Sequence, residues 1–210
     1  IDHFPNKIPV FPLSNFIIFP RTTVPLNIFE PRYIDMVDDA MKSNRMIGMI
    51  QPKKYNQNTK ILYNIGCAGK ISSFNETDDG RYLIVLVGIS RFRIVSEIDN
   101  EKLYRECSVD FNEFKNDLEE EKEELKLSDL KLIFKDIKSL LNKKGYVINW
   151  KDIEKQNLNQ TINTLSMASP FTLEEKQVLL ETLNLSERKK KLEEILSTYV
   201  VDNFSNKTIQ

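Results

Sequence analysis

Along this chain, apolar and polar positions change period. They alternate over short runs in the first half and recur at helical spacing in the last third, with the switch near Phe114. Alternation suits half-buried strands and the longer period suits amphipathic helices, so the pattern predicts an α+β chain. A β-rich domain is expected over 1–114, an acidic linker or helix start over 115–128, and an all-helical bundle over 129–204. Residues 10–13 and 23–28 are extended and proline-punctuated, as edge strands tolerate, because a proline there removes no ladder hydrogen bond. Pro31 fits the first turn of a helix running to about Lys42, with Tyr33, Met36, Val37 and Met41 as its apolar stripe.

Four further runs, 46–50, 62–71, 81–94 and 103–111, are rich in residues that suit a pleated, buried surface and predict four more strands. Between the second and third of them, Asp79-Gly80 predicts a tight type I′ turn, because glycine accepts positive φ. Gly88, inside the longest run, predicts a bulge or bend that lets one strand turn a corner and serve two sides. A small, partly closed barrel follows. In the helical part, Leu130, Ile133, Phe134, Ile137, Leu140 and Leu141 form one stripe, ending before Gly145, and Leu158, Ile162 and Leu165 form another. Thr172 and Glu175 predict a capping box, with Val178, Leu179, Leu180 and Leu183 on one face behind it. Ser186 is expected to cap the last helix, whose stripe is Leu192, Ile195, Leu196, Tyr199 and Val200.

Composition narrows the function more than it narrows the fold. Thirty Lys and Arg against 31 Asp and Glu give a net charge of −1, which removes any bulk pull toward nucleic acid or anionic membrane. Cys67 and Cys107 sit in separate apolar contexts and predict buried thiols of a reducing cytoplasm. His3 is the sole histidine, which excludes a histidine-rich metal site and a histidine-based triad. No apolar run approaches the ~18 residues of a membrane span.

Candidate chemistry is sparse. The run from Gly66 to Ile71 lacks the spacing of a phosphate loop, and Ser72, Ser73 and Lys70 lack the context of a Ser-Lys pair. Neighbouring acids at Asp38-Asp39, Asp78-Asp79 and 119–124 suit solvated faces better than a pocketed general acid. No catalytic residue, metal site or cofactor is expected. Arg91 and Arg93 share one strand face and could meet a carboxylate or phosphate bidentately, or pair internally. Trp150 opens a helix, either as an anchor for a partner or as a lock between helices and β-domain.

The string Pro9-Val-Phe-Pro-Leu13, then Phe19-Pro20 and Pro25-Leu-Asn-Ile-Phe-Glu-Pro-Arg-Tyr33, resembles the start of the Lon protease N-terminal, substrate-binding domain family. The likeness continues in order through Gly48, Ile65-Gly-Cys67, Asp79-Gly-Arg-Tyr82, Gly88 with Arg91-Phe-Arg93, and Glu174-Glu-Lys-Gln177. Such a resemblance implies a PUA-like small β-barrel with an embedded helix, followed by a helical bundle. It also implies a stand-alone, non-catalytic module that binds unfolded polypeptide or serves as an adaptor for a partner protease, because the ATPase and Ser-Lys peptidase patterns of full-length Lon are not found in it. RNA binding by the PUA-like fold and small-molecule sensing are the alternatives. Binding candidates are Phe29, Tyr33, Met46, Met49, Arg91, Arg93 and Trp150, with a surface between barrel and bundle as their setting. Glu30, Pro31, Arg32, Asp79 and Gly80 match the family motifs as residues that hold the fold.

Overall fold

The computed structural model describes residues 4–53, 61–119, 130–147, 149–153 and 155–205. His3 and the acidic run from Glu120 to Glu124 lie outside them. The chain divides into two compact units, Ile1–Glu120 and Glu121–Gln210.

In the first unit, β1 (Lys7–Pro12), β2 (Thr23–Ile28), β3 (Met46–Ile50), β4 (Ile65–Glu76), β5 (Tyr82–Ile98) and β6 (Arg105–Asp110) form one sheet. Their order is β2-β5-β4-β3-β1-β6, and β5 also pairs with β6. That last pairing closes five strands into a barrel and leaves β2 outside the ring, attached among the described residues to β5 alone. Only β1 and β3 run parallel. β5 closes the ring because of its length. Its first half takes β2 from Tyr82 to Val87, and its second half takes β6 from Arg93 to Ile98. Register shifts opposite Ala68/Gly69 and at Ile94/Ser96 mark bulges, which bend and twist a strand enough to turn it.

Gly88 lies beside the first bulge and meets a second demand. Its N–H donates to the Thr22 carbonyl at 2.9 Å and its carbonyl accepts from Arg21 N–H at 2.8 Å. A Cβ at Gly88 would stand 2.0 Å from the Phe19 carbonyl oxygen. Ile8, Val10, Ile50, Phe92 and Cys107 are among the side chains that fill the barrel. α1 (Pro31–Met41) buries Tyr33, Met36, Val37 and Ala40. A 3-10 helix, Asn112–Leu118, packs on β5 with Phe114 buried, so the compact unit runs past Phe114.

Two expectations for this unit are corrected. β1 is no edge, since β3 and β6 flank it. The hairpin is not type I′, because Gly80 alone takes positive φ, +77°, while Asp78 and Asp79 are not among the positive-φ residues. Gly80 N–H donates to the Thr77 carbonyl, and Thr77 N–H to that of Arg81. An ordinary turn followed by one left-handed glycine thus carries the reversal, and the twist of the flanking strands is met by that single residue.

The second unit comprises α2 (Lys131–Lys143), α3 (Trp150–Ile153), α4 (Leu158–Ala168), α5 (Leu173–Glu181) and α6 (Leu185–Ser205). α6 packs against α2, α4 and α5. The Thr172/Glu175 capping box is present. Asn184, not Ser186, caps α6, accepting from Glu187 N–H at 2.8 Å. On α5, Leu179 and Leu180 turn inward, but Val178 is exposed, as is Leu183 beyond the helix end, and Lys176 and Gln177 take buried positions. No helix among the described residues is long and apolar enough to cross a membrane.

Candidate functional site

Several sequence candidates belong to the interior and are corrected as surface contacts. Met46 and Met49 lie on β3, a strand buried at every position. Tyr33 is buried, with its ring 4.2 Å from that of Phe11 and the Arg32 guanidinium 4.6 Å above it. Burial pushes its hydroxyl up from the ordinary tyrosine range. Arg32 also donates to Glu30 at 2.7 and 2.9 Å across a half-exposed pair. Trp150 meets Phe134 edge-on and has the Lys138 ammonium 4.8 Å from its ring. Both partners belong to the helical unit.

Arg91 is 2% exposed, because Asp117 of the 3-10 helix covers it. The guanidinium donates to both carboxylate oxygens, at 2.8 and 3.0 Å, and Arg91 N–H donates to the same group. The Phe114 ring lies 4.4 Å beneath. Arg93 grips Glu113 of the same helix at 2.6 and 2.8 Å, and Arg21 donates to the Glu119 carbonyl. Three arginines therefore hold one acidic segment on the barrel, and the Arg91-Arg93 pair faces an internal partner.

Phe29 is the sequence candidate left open, 65% exposed, at the end of β2. Among the described residues that strand is an edge of the sheet, pairing with β5 alone. Opposed residues in antiparallel strands share a face, so Thr23, Pro25 and Asn27 line up beside Val87, Val85 and Leu83. Thr23, Pro25, Asn27 and Leu83 of this outer row are exposed, and Val85 and Val87 are half-buried. β2 carries no charged side chain, and Pro25 is its only guard against further pairing. Composition alone did not single out this strip. Its available signal was the unbroken apolar run from Tyr82 to Val87, since a strand with one wet face should alternate.

A polar cluster joins α1 to β6. The Tyr104 hydroxyl donates to Asp39 at 2.6 Å, and the Lys102 ammonium donates to Tyr104, Asp39 and Glu106. Burial, then the bond to Asp39, pushes the Tyr104 hydroxyl up to about 12. Asp39 is held below the usual carboxylate range by the hydrogen bonds from Tyr104 and Lys102. Each group satisfies another, which leaves a scaffold and no poised acid or base. Burial pushes the Cys107 thiol up to about 11, away from the thiolate form. Among the described residues no cluster of metal-ligand type occurs.

From Lys7 to Thr198, the chain matches the model of the family described as ATP-dependent protease La (LON) substrate-binding domain, residues 7–198. It is 29% identical over 195 residues to Lon protease 1 of Bdellovibrio bacteriovorus, a match covering 91% of the chain and 24% of that protein. Lon protease of Desulfosudis oleivorans is 25% identical over 199 residues, covering 91% and 24%. The chain thus spans about a quarter of the length of these relatives. Among solved structures, a Lon N-terminal domain protein from Xanthomonas campestris superposes with a TM-score of 0.62 at 19% identity, covering 91% of this chain and 97% of that one. The N-terminal domain of Mycobacterium avium complex Lon protease gives 0.61 at 19%, covering 91% and 98%. These two likenesses speak for the fold.

Proposed function

This chain belongs to the LON substrate-binding domain family, and we propose that it is a non-catalytic module that binds unfolded, apolar-rich polypeptide along the open edge of β2. The observation that carries the reading is an uncharged edge strand beside the solvent-facing strip of Pro25, Leu83 and Val85. An extended client can add its backbone to such an edge whatever its sequence, and its alternate side chains find apolar area rather than a single pocket. That combination suits a module that must accept many damaged chains, and it sets the expected affinity in the micromolar range, as weak, varied contacts do. Serving as an adaptor for a separate protease is compatible with it. The proposed setting is the cytoplasm, in keeping with the buried thiols of Cys67 and Cys107.

The RNA alternative loses its main support, because Arg91 and Arg93 are engaged by Asp117 and Glu113. Titration of fluorescein-labelled unfolded casein tests the reading. Asn27→Pro with Leu83→Asp, which breaks the edge and charges the strip, should weaken binding at least ten-fold at an unchanged fold. Wild-type binding should persist at high salt, since apolar burial is not screened, whereas a phosphate-contacting site loses affinity steeply. Salt-sensitive RNA binding with no casein binding would overturn the assignment.

A further inference from the structure

Resting on that reading of β2, we infer that Pro25 decides which strands pair with the edge, admitting a foreign extended segment and turning away the β2 of a second copy. The phase of the ladder between β2 and β5 places this residue. Gly88 N–H donates to the Thr22 carbonyl at 2.9 Å, and the register that sets Thr23 against Val87, continued by one residue, sets Thr22 against Gly88. Along an antiparallel pair, positions that exchange hydrogen bonds alternate with positions that do not. Val24, Leu26 and Ile28 therefore turn their backbone groups toward β5, while Thr23, Pro25 and Asn27 turn theirs outward. Among the described residues no hydrogen bond takes up those outward groups. The same phase explains why a proline sits within this strand, because at an outward position it removes no bond to β5.

The outward side thus offers the carbonyls of Thr23, Pro25 and Asn27 but the N–H groups of Thr23 and Asn27 only, since proline has none. A foreign segment laid along it donates to all of those carbonyls and leaves one carbonyl of its own, opposite Pro25, without a donor. One missing bond weakens such a pairing without abolishing it. Two copies of β2 related by a two-fold axis meet the same defect twice, because a residue in a symmetric contact counts once from each chain. Centred on Pro25, that contact loses both bonds of its middle pair, and the two rings face each other. Without the proline, β2 would suit self-pairing, being uncharged and set beside exposed Leu83 and half-buried Val85. Pro25 therefore penalises a second copy about twice as heavily as it penalises a client, which keeps the edge available.

The test uses the full chain, with labelled unfolded casein as the client and sedimentation velocity as the measure of self-association. Pro25→Ala loses the apolar surface of the ring and gains an outward N–H, so the two roles open to Pro25 give opposite signs. Casein affinity should rise about two- to ten-fold, the range of one neutral amide hydrogen bond, whereas a proline that supplied only apolar area would make it fall. Pro25→Val adds a strand-favouring side chain to the donor and should sediment as a larger species than the wild type at matched concentration. Excess casein, or Asn27→Pro in the same chain, should reverse that association. Pro25→Ala is read in both assays, so a valine variant that melts early does not decide the matter. Unchanged or weaker casein binding by Pro25→Ala, with sedimentation like that of the wild type, would overturn the role of Pro25, while a loss of binding in Asn27→Pro would keep the edge as the binding site. Casein binding indifferent to both Pro25→Ala and Asn27→Pro would overturn the edge itself, and this role with it.

Discussion

Gly88 and Gly80 both resist substitution, for opposite reasons, and that contrast can be measured. At Gly88, an added methyl would sit 2.0 Å from the Phe19 carbonyl oxygen, a backbone atom with hydrogen bonds on both sides of it. Gly88→Ala should therefore cost more than ~3 kcal/mol, the upper range of ordinary overpacking. At Gly80, nothing lies within 4 Å, but φ is +77°, so Gly80→Ala should cost only the left-handed penalty of about 1 to 2 kcal/mol. Thermal melts of the two variants give the order, and a milder Gly88→Ala would mean that the 19–22 loop does not lie against β5. The glycines were legible in the sequence as special positions. The burial of Met46, Met49 and Arg91 was not, because a methionine or arginine reads the same inside as outside until its neighbours are known. Asp117, which decides the fate of Arg91, lies 26 residues away in the chain.

At the scale of elements, helices were more legible than sheet pairing. Helical stripes, the capping box and the start of α1 at Pro31 depend on residues a turn apart, and local pattern fixes them. Which strand stays outside the ring depends on long-range partners, so β1 and β2, both proline-punctuated, read alike although only β2 is an edge. Cys107 of β6 and Tyr104 just before that strand supply a pH test of the packing. Tyr104 and Cys107 are pushed up to about 12 and about 11, from ordinary values of 10.0 and 9.0. Both folded-state values are raised, so the native state holds these protons more tightly than the unfolded chain does. Their contribution to stability is complete below about pH 9 and is lost as pH rises through 11 to 12. The urea midpoint should fall across that window, and Cys107→Ala should flatten the part between pH 9 and 11. A midpoint independent of pH over this range would show that water reaches both side chains.

For the whole molecule, the informative question is where the barrel unit ends, and the arginine clasp answers it differently from the period switch. Apolar patterning changes near Phe114, but Asp117 beyond it supplies the counter-charge of a guanidinium that is 2% exposed. Removing one partner of a buried ion pair typically costs ~3 to 5 kcal/mol, because the other charge is left desolvated and unpaired. A domain of this size commonly has only ~5 to 15 kcal/mol in all. We therefore expect a fragment of residues 1–119 to fold and melt in one cooperative transition, and a fragment of residues 1–114 to be largely unfolded at 37 °C. Arg91→Leu placed in the shorter fragment should recover part of the loss, since it removes the stranded charge as well as its partner. Circular dichroism melts of the three fragments decide the matter. Equal stability of 1–114 and 1–119 would mean that the clasp contributes nothing and that the barrel is complete at Phe114. Retention of casein binding by 1–119 would further place the binding edge within the barrel unit, where β2 lies.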